Sequence, residues 1–347
     1  MTKGSATVAQ LPEFDEIIDV RSPAEFEDDH LPGAVSMPVL DNEQRAEVGT
    51  IYKQVSPFDA RRLGGALVAQ NLATHLLRHF QDKPRDWRPL VYCWRGGQRS
   101  GAFTTWLRMI GWDACQLVGG YKQYRREVIA ALETLPGAFD FRIVSGPTGS
   151  AKTRVLEALE RQGAQVLDLE GLAAHKGSVL GALPNTPQPS QKYFESLLHR
   201  RLSAFTPDKP VFVEAESRKI GRIHLPGALI ERMRQSPCVM IDATREARIA
   251  FLLRDYAYLG DDAEDLKFKL GCLKRIIANE TLERWTGYAD AHDLPNLFTE
   301  LVDQHYDPLY RRSQNSNYQG YAAAQRVESA DLSDDGIEAI AAAVLKG

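Results

Sequence analysis

Two short loops constrain the fold of this chain more than any other feature, because each joins an apolar run to a helical pattern. The first occupies residues 93–100 and reads Cys-Trp-Arg-Gly-Gly-Gln-Arg-Ser after the apolar run Pro-Leu-Val-Tyr. The second occupies residues 146–153 and reads Gly-Pro-Thr-Gly-Ser-Ala-Lys-Thr after Phe-Arg-Ile-Val-Ser. A strand that passes through a glycine-containing turn into a helix is typical of α/β proteins with parallel sheets. The sequence therefore predicts two α/β units, one around each loop.

The remaining segments continue this alternation of strands and helices. Candidate strands cover residues 16–20, 89–93, 115–118, 141–145, 165–169, 211–214 and 238–242, candidate helices cover residues 101–110, 121–132 and 153–162, and the final hundred residues look mostly helical. The Pro-Gly pair at residues 136–137 breaks both periodicities and marks a linker. We predict one domain over residues 1–135 and a second over residues 136–347, with a Pro-rich surface loop at residues 183–190.

The composition is that of a soluble globular protein, with 44% hydrophobic and 25% charged residues. The formal net charge of -4 excludes an overall basic excess, so a nucleic-acid partner must meet a local basic patch. No segment has the apolar run of a signal peptide or the roughly 18 apolar residues of a membrane span. Four scattered cysteines form no metal-binding pattern. We expect a cytoplasmic protein with reduced thiols and no membrane partner.

The first loop has the features of an anion-binding site around a nucleophile. Its backbone N–H groups and the positive end of the following helix converge on one point, where they stabilise an anion or the thiolate of Cys93. Glycines let the backbone curl close to the ligand, and arginine holds oxyanions with two hydrogen bonds. Cys93 is therefore the candidate catalytic residue. The candidate ligands for a chalcogen or oxyanion are the other loop residues, namely Trp94, Arg95, Gly96, Gly97, Gln98, Arg99 and Ser100.

Further motifs around this loop resemble the rhodanese family over about the first 135 residues. They are Asp-Val-Arg-Ser-Pro-Ala-Glu-Phe at residues 19–26, His-Leu-Pro-Gly-Ala at residues 30–34 and Gly-Gly-Tyr at residues 119–121. The resemblance implies a rhodanese-like parallel-sheet fold and a loop cysteine that carries a chalcogen as a persulfide-like group. It also implies that Asp19 and Arg21 support the loop through a salt bridge, in a structural role.

The spacing within the loop departs from the pattern of many rhodaneses. They place the loop arginine five residues after the cysteine, whereas Arg99 lies six residues after Cys93. The Cys-x5-Arg spacing also occurs in phosphatases of the same fold, where the longer loop holds a phosphate. The loop alone is therefore compatible with a phosphatase or with a chalcogen transferase. A wider loop also suits a phosphate-bearing donor such as selenophosphate.

The second loop resembles a Walker A motif, G-x-x-x-x-G-K-[ST], of a P-loop NTPase-like domain with a helical C-terminal part. In such loops backbone N–H groups hold a diphosphate, the lysine adds positive charge and the hydroxyl binds Mg²⁺, here at Thr153. Ala151 replaces the second glycine, which suits the loop only if its φ is negative. The candidate diphosphate-binding residues are Gly146, Pro147, Thr148, Gly149, Ser150, Ala151, Lys152 and Thr153.

The apolar run at residues 211–213 ends in an acid, as the second conserved strand of P-loop proteins does. Glu214 is a candidate to orient Mg²⁺ or water, and equally a residue that caps the strand. No Asn-Lys-x-Asp motif accompanies the loop, so its ligand is a diphosphate that need not be a nucleotide. The further candidate site residues are His175, Ser178, Glu216 and Arg218.

The two loops and three more motifs resemble the tRNA 2-selenouridine synthase family nearly end to end. The motifs are His-Lys-Gly-Ser at residues 175–178, Gln-Pro-Ser-Gln-Lys-Tyr-Phe-Glu at residues 188–195 and Glu-Ala-Glu-Ser-Arg-Lys-Ile-Gly at residues 214–221. The first is more usually His-Arg-Gly-Ser in that family. Lys176 keeps the charge but loses the two-point hydrogen bonding of arginine.

This resemblance implies a transferase that acts on a 5-substituted 2-thiouridine at the wobble position of tRNA. Geranyl diphosphate first supplies a geranyl group to the sulfur, and selenophosphate then supplies selenium as the S-geranyl group leaves. The P-loop would hold the diphosphate, and Cys93 would meet selenophosphate or carry selenium on its sulfur. No tightly bound cofactor is expected, Mg²⁺ is a candidate ion at Thr153, and a selenophosphate synthase must supply the donor.

Binding of tRNA requires basic and aromatic contacts. Tyr121, Tyr124 and Tyr310 are candidates to stack on unpaired anticodon bases. The basic candidates are Lys122, Arg125 and Arg126, then Arg218, Lys219 and Arg222, then Lys267, Lys269, Lys274 and Arg275, and finally Arg311 and Arg312.

Three alternatives remain open at this point. The first is a rhodanese-fold phosphatase or oxyanion reductase, such as an arsenate reductase, with an accessory nucleotide-binding domain. The second is a thiosulfate-type sulfurtransferase with the same accessory domain. The third is a non-enzymatic regulator that senses oxyanions, against which the intact Cys93 and the two loop arginines argue.

Overall fold

The computed structural model of the protein describes residues 4–178, 180–274 and 276–346, without the side chains of residues 311 and 313–316. The chain divides into two compact units, one containing Met1–Ala131 and Ser190–Arg200 and the other containing Leu132–Pro189 and Arg201–Gly347. Each is built on a parallel five-stranded sheet with helices, which confirms the predicted α/β fold class. Within the described residues, no helix combines the length and the apolar character that a bilayer crossing requires.

The sheet of the first unit places the strand before Cys93 at its centre. Its strands are β1 (Ser5–Ala6), β2 (Glu16–Asp19), β3 (Val35–Ser36), β4 (Pro89–Tyr92) and β5 (Cys115–Leu117). The strand order is β1–β5–β4–β2–β3, and every neighbouring pair is parallel. The central strand β4 is buried along its whole length, as is typical of parallel sheets that are covered on both faces.

Five helices accompany this sheet. They are α1 (Pro23–Asp28), α2 (Asn42–Gln54), α3 (Pro57–His79), α4 (Gln98–Ile110) and α5 (Gly120–Thr134). The distant segment Ser190–Arg200 also packs in this unit, where Glu195 pairs with Arg125 and the Tyr193 ring lies 4.2 Å from that of His30. The first unit is therefore completed by a piece of chain from beyond the P-loop.

The sheet of the second unit places the strand before the P-loop at its centre. The strands are β6 (Phe141–Ser145), β7 (Gln165–Leu167), β8 (Val211–Glu214), β9 (Lys219–Ile220), β10 (Ile223–His224), β11 (Pro237–Ala243) and β12 (Gly320–Ser329). The main sheet has the order β12–β11–β6–β8–β7 with all pairs parallel, and β9 and β10 form a separate antiparallel pair. The P-loop and Glu214, the last residue of β8, therefore lie at the same end of neighbouring strands.

Ten further helices are described in the rest of the chain. They are α6 (Lys152–Arg161), α7 (Leu169–Ala173), α8 (Gln191–Ser203), α9 (Gly227–Arg234), α10 (Arg245–Asp255), α11 (Ala263–Gly271), α12 (Asn279–Asp290), α13 (Leu294–Leu301), α14 (Asp307–Asn317) and α15 (Asp334–Lys346). Helices α10 to α13 pack around a separate apolar core that includes Leu252, Leu270, Trp285 and Phe298. A π-helical turn, Val302–Tyr306, joins α13 to α14.

Most predicted elements are present, with two corrections. The strand predicted over residues 165–169 ends at Leu167, because α7 begins at Leu169. The region predicted as mostly helical also contains β12, which the sequence analysis missed. This edge strand carries three consecutive alanines and a glutamine, which are helix-forming residues, and it lacks the apolar run of a buried strand.

Candidate functional site

Cys93 lies directly after β4, where the chain turns into α4. Its side chain is only 3% exposed. The sulfur accepts a hydrogen bond from the Gly97 N–H at 3.3 Å and another from the Ser100 hydroxyl at 3.0 Å. Both donors lie at the start of α4, and the exposed Gln98 opens that helix. The loop therefore presents a nucleophile that is held by two donors.

Two glycines allow the segments around Cys93 to approach each other closely. Gly96 has a φ of 64°, and a Cβ there would lie 2.7 Å from the Leu117 carbonyl oxygen. Gly120 has a φ of 57°, and a Cβ there would lie 2.2 Å from the Cys93 carbonyl oxygen. The Tyr121 N–H donates to the same Cys93 carbonyl at 2.9 Å. The Gly-Gly-Tyr motif therefore fixes the position of Cys93 from the side of α5.

The buried pair of Asp19 and Arg21 supports the loop through a tyrosine. Arg21 Nη2 lies 2.6 Å from Asp19 Oδ2, which is the predicted salt bridge. Arg21 also donates to the Asp29 carbonyl at 2.6 Å and lies 4.1 Å from the centre of the Tyr121 ring. The Tyr121 hydroxyl in turn donates to the Asp29 carboxylate at 2.7 Å. The salt bridge thus holds Tyr121, whose backbone holds Cys93.

Gln116 in β5 is a site residue that sequence reasoning missed. Its amide NH₂ donates to the Ser100 hydroxyl oxygen at 2.8 Å and to the Gly97 carbonyl at 3.0 Å. The Gly97 carbonyl can only accept, so the amide atom nearest to it must be the nitrogen. Because this amide occupies a lone pair of the Ser100 oxygen, the Ser100 proton points away from Gln116, towards the Cys93 sulfur at 3.0 Å and the Gly97 carbonyl at 3.4 Å. Gln116 therefore orients the second donor, and its sole sequence signal is a polar residue inside a predicted strand.

The two arginines of the Cys93 loop differ in what they contact. Arg99 is 16% exposed, and its Nη1 lies 2.9 Å from Glu25 Oε2. Burial alone would raise the pKa of the Glu25 carboxyl, but the ion pair with Arg99 lowers it. Arg95 is exposed and has no ion-pair partner among the described residues. The chain therefore holds Arg99 in place and leaves Arg95 available to a ligand.

The second loop connects β6 to α6, which is the place of a P-loop in the sheet. Lys152 opens α6, and its Nζ donates to the Gly146 carbonyl at 2.8 Å, so the ammonium lies over the loop. Burial lowers the pKa of Lys152 from the ordinary value of a lysine. The Ser150 hydroxyl donates to the Pro147 carbonyl at 2.7 Å and closes the turn. The loop is therefore folded as a cradle with its cation in place.

Ala151 contradicts the expectation that its φ is negative. Its φ is 57° and its ψ is 28°, in the left-handed region, which costs a residue other than glycine roughly 1 kcal/mol. The Ala151 methyl group is 4% exposed and belongs to an apolar core that includes Val155 and Phe251. This packing offsets the backbone strain, so an alanine occupies the place that glycine has in the Walker A pattern.

Three glutamates lie beside the P-loop. Glu170 Oε2 lies 3.2 Å from Thr153 Oγ1, and the Glu170 N–H donates to Glu214 at 2.9 Å. Glu214 is 1% exposed, and its second carboxyl oxygen has no hydrogen-bond partner among the described residues. Burial raises the pKa of Glu170, and burial together with neighbouring carboxylates raises the pKa of Glu214. The same causes raise the pKa of Glu216 to about 8.

These acids bear on the predicted Mg²⁺. Across the described parts of the chain, no group of three His, Cys, Asp or Glu side chains is arranged to hold a metal ion. Mg²⁺ in proteins often takes one or two protein oxygens and completes its shell with phosphate and water. Thr153 and Glu170 offer such a partial set, and Mg²⁺ at Thr153 stays a proposal.

Two side chains from the C-terminal helices hold the P-loop, and sequence reasoning placed neither of them there. Tyr310 of α14, predicted as a stacking residue, accepts a hydrogen bond from the Gly146 N–H at 2.5 Å. Arg248 of α10 donates to the Thr148 carbonyl at 2.8 Å and forms a two-point ion pair with Asp307. The contacts join residues 164 and 100 positions apart, so no local motif reveals them.

A cavity of about 590 Å³ opens from the P-loop. Its polar end is lined by residues 148–153 together with Glu170 and Glu216. Most of the remaining wall is aliphatic or aromatic and comes mainly from the C-terminal helices. These wall residues are Leu180, Phe251, Leu252, Tyr256, Phe298, Leu301, Val302, Tyr306, Leu309 and Tyr310. The cavity therefore offers a place for an anionic group beside a long apolar surface.

The remaining predicted site residues divide between this cavity and other places. Ser178 and Lys176 line the cavity, and Lys176 Nζ lies 2.5 Å from Asp255 Oδ2. His175 lines a different, shallower cavity of about 500 Å³. Burial lowers the His175 pKa, and its Nδ1 has no hydrogen-bond partner in the described part of the chain. Arg218 is exposed and is not a wall residue of the P-loop cavity.

The residues predicted to contact tRNA also differ in availability. Ion pairs within the chain hold Arg125, Lys267 and Lys269. Lys122 and Arg126 are exposed and have no ion-pair partner in the residues that the structure describes. Tyr121 and Tyr124 are 3% and 2% exposed, so an RNA base cannot cover their rings. Arg275 and the side chain of Arg311 lie outside the described residues.

Two protein-family descriptions match this chain. The rhodanese-like domain matches residues 6–127, which contain Cys93 and its loop. The tRNA 2-selenouridine synthase AAA domain matches residues 139–267, which contain the P-loop and the three glutamates. The first region contains β2 to β5, and the second contains β6 to β11 but ends before β12.

Several bacterial proteins named tRNA 2-selenouridine synthase are similar to this chain. The one from Nitrosomonas europaea is 37% identical over 69% of this chain and 63% of its own length, so the match spans less than two thirds of that relative. The one from Marinobacter nauticus is 36% identical over 83% of this chain and 80% of its own length. The one from Aeromonas salmonicida is 33% identical over 85% of this chain and 86% of its own length. The chain therefore belongs to the tRNA 2-selenouridine synthase family.

Proposed function

We propose that this chain modifies tRNA by replacing the sulfur of a 5-substituted wobble 2-thiouridine with selenium. The observation that carries the proposal is the pairing, within one member of this family, of a cysteine held by two donors and a P-loop that opens into an apolar cavity. A selenium donor that bears a phosphate suits the first site. A diphosphate with an apolar chain suits the second.

The P-loop cavity supports geranyl diphosphate as one co-substrate. Lys152 and the backbone N–H groups of Thr148, Gly149 and Thr153 suit its diphosphate. The apolar wall, with residues such as Phe298 and Leu309, suits a branched hydrocarbon chain. A nucleotide base would need polar partners that this part of the wall largely lacks. An isoprenoid diphosphate therefore fits the cavity better than a nucleotide does.

The first proposed step transfers the geranyl group. The thiocarbonyl sulfur of the uridine attacks the first carbon of the geranyl chain, the carbon–oxygen bond breaks and diphosphate leaves with the bonding electrons. The uridine loses its N3 proton to solvent, so the S-geranylated base is neutral. Lys152 and the P-loop N–H groups stabilise the charge that develops on diphosphate. Alkylation converts the sulfur into a good leaving group for the next step.

The second proposed step delivers selenium through Cys93. The Cys93 thiolate attacks the phosphorus of selenophosphate, the phosphorus–selenium bond breaks and selenide leaves with the electron pair. Selenide adds to carbon 2 of the uridine, and geranylthiolate leaves. Water then attacks the phosphorus, which releases phosphate and restores the thiolate, so no oxidant or reductant is required. The loop N–H groups and Arg95 suit the phosphoryl oxygens.

Mass spectrometry of wobble nucleosides tests the function. Cells that lack the gene are complemented with the wild type or with Cys93→Ser. We expect 2-selenouridine to return with the wild type, and geranylated thiouridine to accumulate with the variant. Absence of 2-selenouridine in the wild-type complementation would overturn the proposal.

The route through Cys93 has its own test. Purified protein is mixed with selenophosphate whose phosphorus is labelled, and the peptide that contains Cys93 is isolated. We expect labelled phosphorus on this peptide. Selenium on the Cys93 sulfur without labelled phosphorus would contradict the proposed phosphoryl transfer and support a selenium carried on cysteine.

The Cys-x5-Arg spacing supports a second candidate function, hydrolysis of phosphate monoesters. Arg99, the arginine of this spacing, is held by an ion pair with Glu25. Purified protein is therefore also tested with an aryl phosphate. Turnover by the wild type but not by Cys93→Ser, combined with an absence of bound tRNA, would favour the phosphatase.

A further inference from the structure

The Cys93 loop borders a surface whose cations the chain does not neutralise. This surface consists of Trp94, Arg95, Lys122 and Arg126, and we call it the Trp94 patch. Its three cations are exposed, and no described carboxylate lies within ion-pair distance of them. By contrast Arg125, the residue before Arg126, is paired with Glu195. Unpaired cations that cluster beside a nucleophile indicate a polyanionic partner.

Backbone contacts bring the members of the patch together. The Lys122 N–H donates to the Trp94 carbonyl at 2.9 Å, which joins the start of α5 to the Cys93 loop. Lys122 and Arg126 are four positions apart on α5, so their side chains project from the same face of that helix. Arg95 follows Trp94 directly. The patch is therefore one continuous surface and not four scattered residues.

The Trp94 ring is a supported aromatic surface that remains open. Its centre lies 5.2 Å from that of Tyr121, yet 40% of the residue is exposed. Tyr121 is itself held by Arg21, whose guanidinium lies 4.1 Å from the Tyr121 ring centre. A supported aromatic ring beside cations is the combination that binds single-stranded nucleic acid, by stacking on bases and neutralising phosphates.

We propose that the Trp94 patch binds the single-stranded anticodon loop of the tRNA substrate, with an unpaired base stacked on Trp94 beside Cys93. Lys122 and Arg126 contact the flanking phosphates, while Arg95 remains at the selenophosphate. This inference rests on the proposed function and adds the surface that presents the RNA to Cys93. Because the whole chain carries a formal charge of -4, tRNA binding depends on a local surface of this kind.

The salt dependence of RNA binding tests the cations. The affinity for an anticodon stem-loop that contains wobble 2-thiouridine is measured by fluorescence anisotropy over a series of KCl concentrations. Each lost phosphate contact reduces the slope of log K against log salt by about 0.7 to 0.9. We therefore expect the double variant Lys122→Gln with Arg126→Gln to reduce the slope by about 1.4 to 1.8.

The matched control removes two other cations of the same unit. Arg61 and Arg78 are exposed residues of α3 and have no ion-pair partner among the described residues. The variant Arg61→Gln with Arg78→Gln changes the net charge by the same amount. We expect its slope to equal that of the wild type.

The stacking contribution is tested separately. We expect Trp94→Ala to weaken binding about 5- to 100-fold at one salt concentration while the salt slope stays the same. Trp94→Phe should restore most of the affinity, because a smaller ring still stacks, whereas Trp94→Leu should not. Circular dichroism melting curves confirm that each variant is folded.

The outcomes separate this inference from the proposed function. A slope in the Lys122 and Arg126 variant that equals the wild-type slope would overturn the patch and leave the function standing. An equal reduction in the control variant would also overturn the patch, since only net charge would then matter. A wild-type protein with no measurable affinity for the stem-loop would overturn both proposals.

Discussion

The Cys93 loop and the P-loop share one backbone design but lie in different surroundings. Each follows the central strand of a parallel sheet, and each directs backbone N–H groups at a ligand from the start of a helix. The Cys93 loop borders the exposed Trp94 patch, whereas the P-loop opens into a cavity with an apolar wall. Under the proposed function, this shared backbone design binds an anion at both sites, and the surrounding side chains decide which anion each site takes.

The two loops also differ in how they accommodate left-handed backbone. Glycine is required at residue 96 of the Cys93 loop and at residue 120, which packs against that loop, because a Cβ at either position would overlap a carbonyl oxygen. In the P-loop, Ala151 adopts a φ of 57°, and its methyl group is buried in the core. Lack of space therefore restricts these positions of the first site to glycine. In the P-loop an alanine is accepted, because its packing offsets the backbone strain.

The largest expected effects come from removing the cysteine of the first loop or the lysine of the second. Cys93→Ser should reduce formation of 2-selenouridine by about 10³-fold or more, since the nucleophile is lost, while geranylation continues. Lys152→Ala should reduce geranylation by about 10²-fold, because diphosphate loses its cation. Both nucleosides are quantified by mass spectrometry in reactions with purified protein. Equal losses of both products in both variants would show that the loops do not serve separate steps.

A smaller effect is expected from a change in the cavity wall. Leu309→Asn should weaken binding of geranyl diphosphate by about 10-fold, because an apolar contact of roughly 1.4 kcal/mol is lost, and should leave inorganic diphosphate unaffected. Leu345→Asn is the matched control, since Leu309 is 46% and Leu345 is 41% exposed and only Leu309 is among the described wall residues. Titration calorimetry measures both ligands. A parallel loss for inorganic diphosphate would argue against an apolar subsite.

The next effect concerns the donor that Gln116 orients. Gln116→Leu removes the donor that fixes the Ser100 oxygen, so the hydroxyl can turn from the Cys93 sulfur to the Gly97 carbonyl at 3.4 Å. Alkylation of Cys93 by iodoacetamide at neutral pH should therefore slow by about 5-fold. In Ser100→Ala the proton is already absent, and adding Gln116→Leu should change nothing further. Additive losses would show that Gln116 acts on Cys93 by another route.

The smallest effect is a change in stability with pH that arises from Glu216 on the P-loop side. The pKa of Glu216 is raised to about 8, so its contribution to stability is present below the unfolded pKa and is lost as the pH rises through about 8. Glu216→Gln removes this titration. Its melting temperature relative to the wild type should therefore rise by a few degrees between about pH 6 and about pH 9 in metal-free buffer. A constant difference across this range, as expected for the exposed Glu328→Gln, would contradict the prediction.

Both loops could be predicted from the sequence because their residues are contiguous. The flanking strands are apolar runs, and the spacing of Cys93 and Lys152 within their loops is specific. Gln116, Tyr310 and Arg248 could not be found in this way, because only the folded chain brings them to the loops. Their type is also uninformative, since polar and aromatic residues are common on strands and helices.

The conformation of Ala151 shows a different limit. The sequence predicts a negative φ for Ala151, because alanine intrinsically disfavours a positive φ. The structure shows that burial of the methyl group among residues such as Val155 overrides this preference. Similarly, β12 contains helix-forming residues but pairs with β11 at the sheet edge. Tertiary packing determines both the φ of Ala151 and the strand conformation of β12, and neither can be read from the local sequence.

The segment Ser190–Arg200 has a consequence for how the protein is made. It belongs to the first unit, where it contributes the Glu195 partner of Arg125 and places His199 against Tyr124 with ring centres 6.4 Å apart. During translation these contacts cannot form until the ribosome has released residue 200. The nascent first unit therefore leaves the ribosome with Arg125 unpaired and this side of Tyr124 uncovered. A protein truncated after residue 135 would lack the contacts of Glu195 with Arg125 and of His199 with Tyr124.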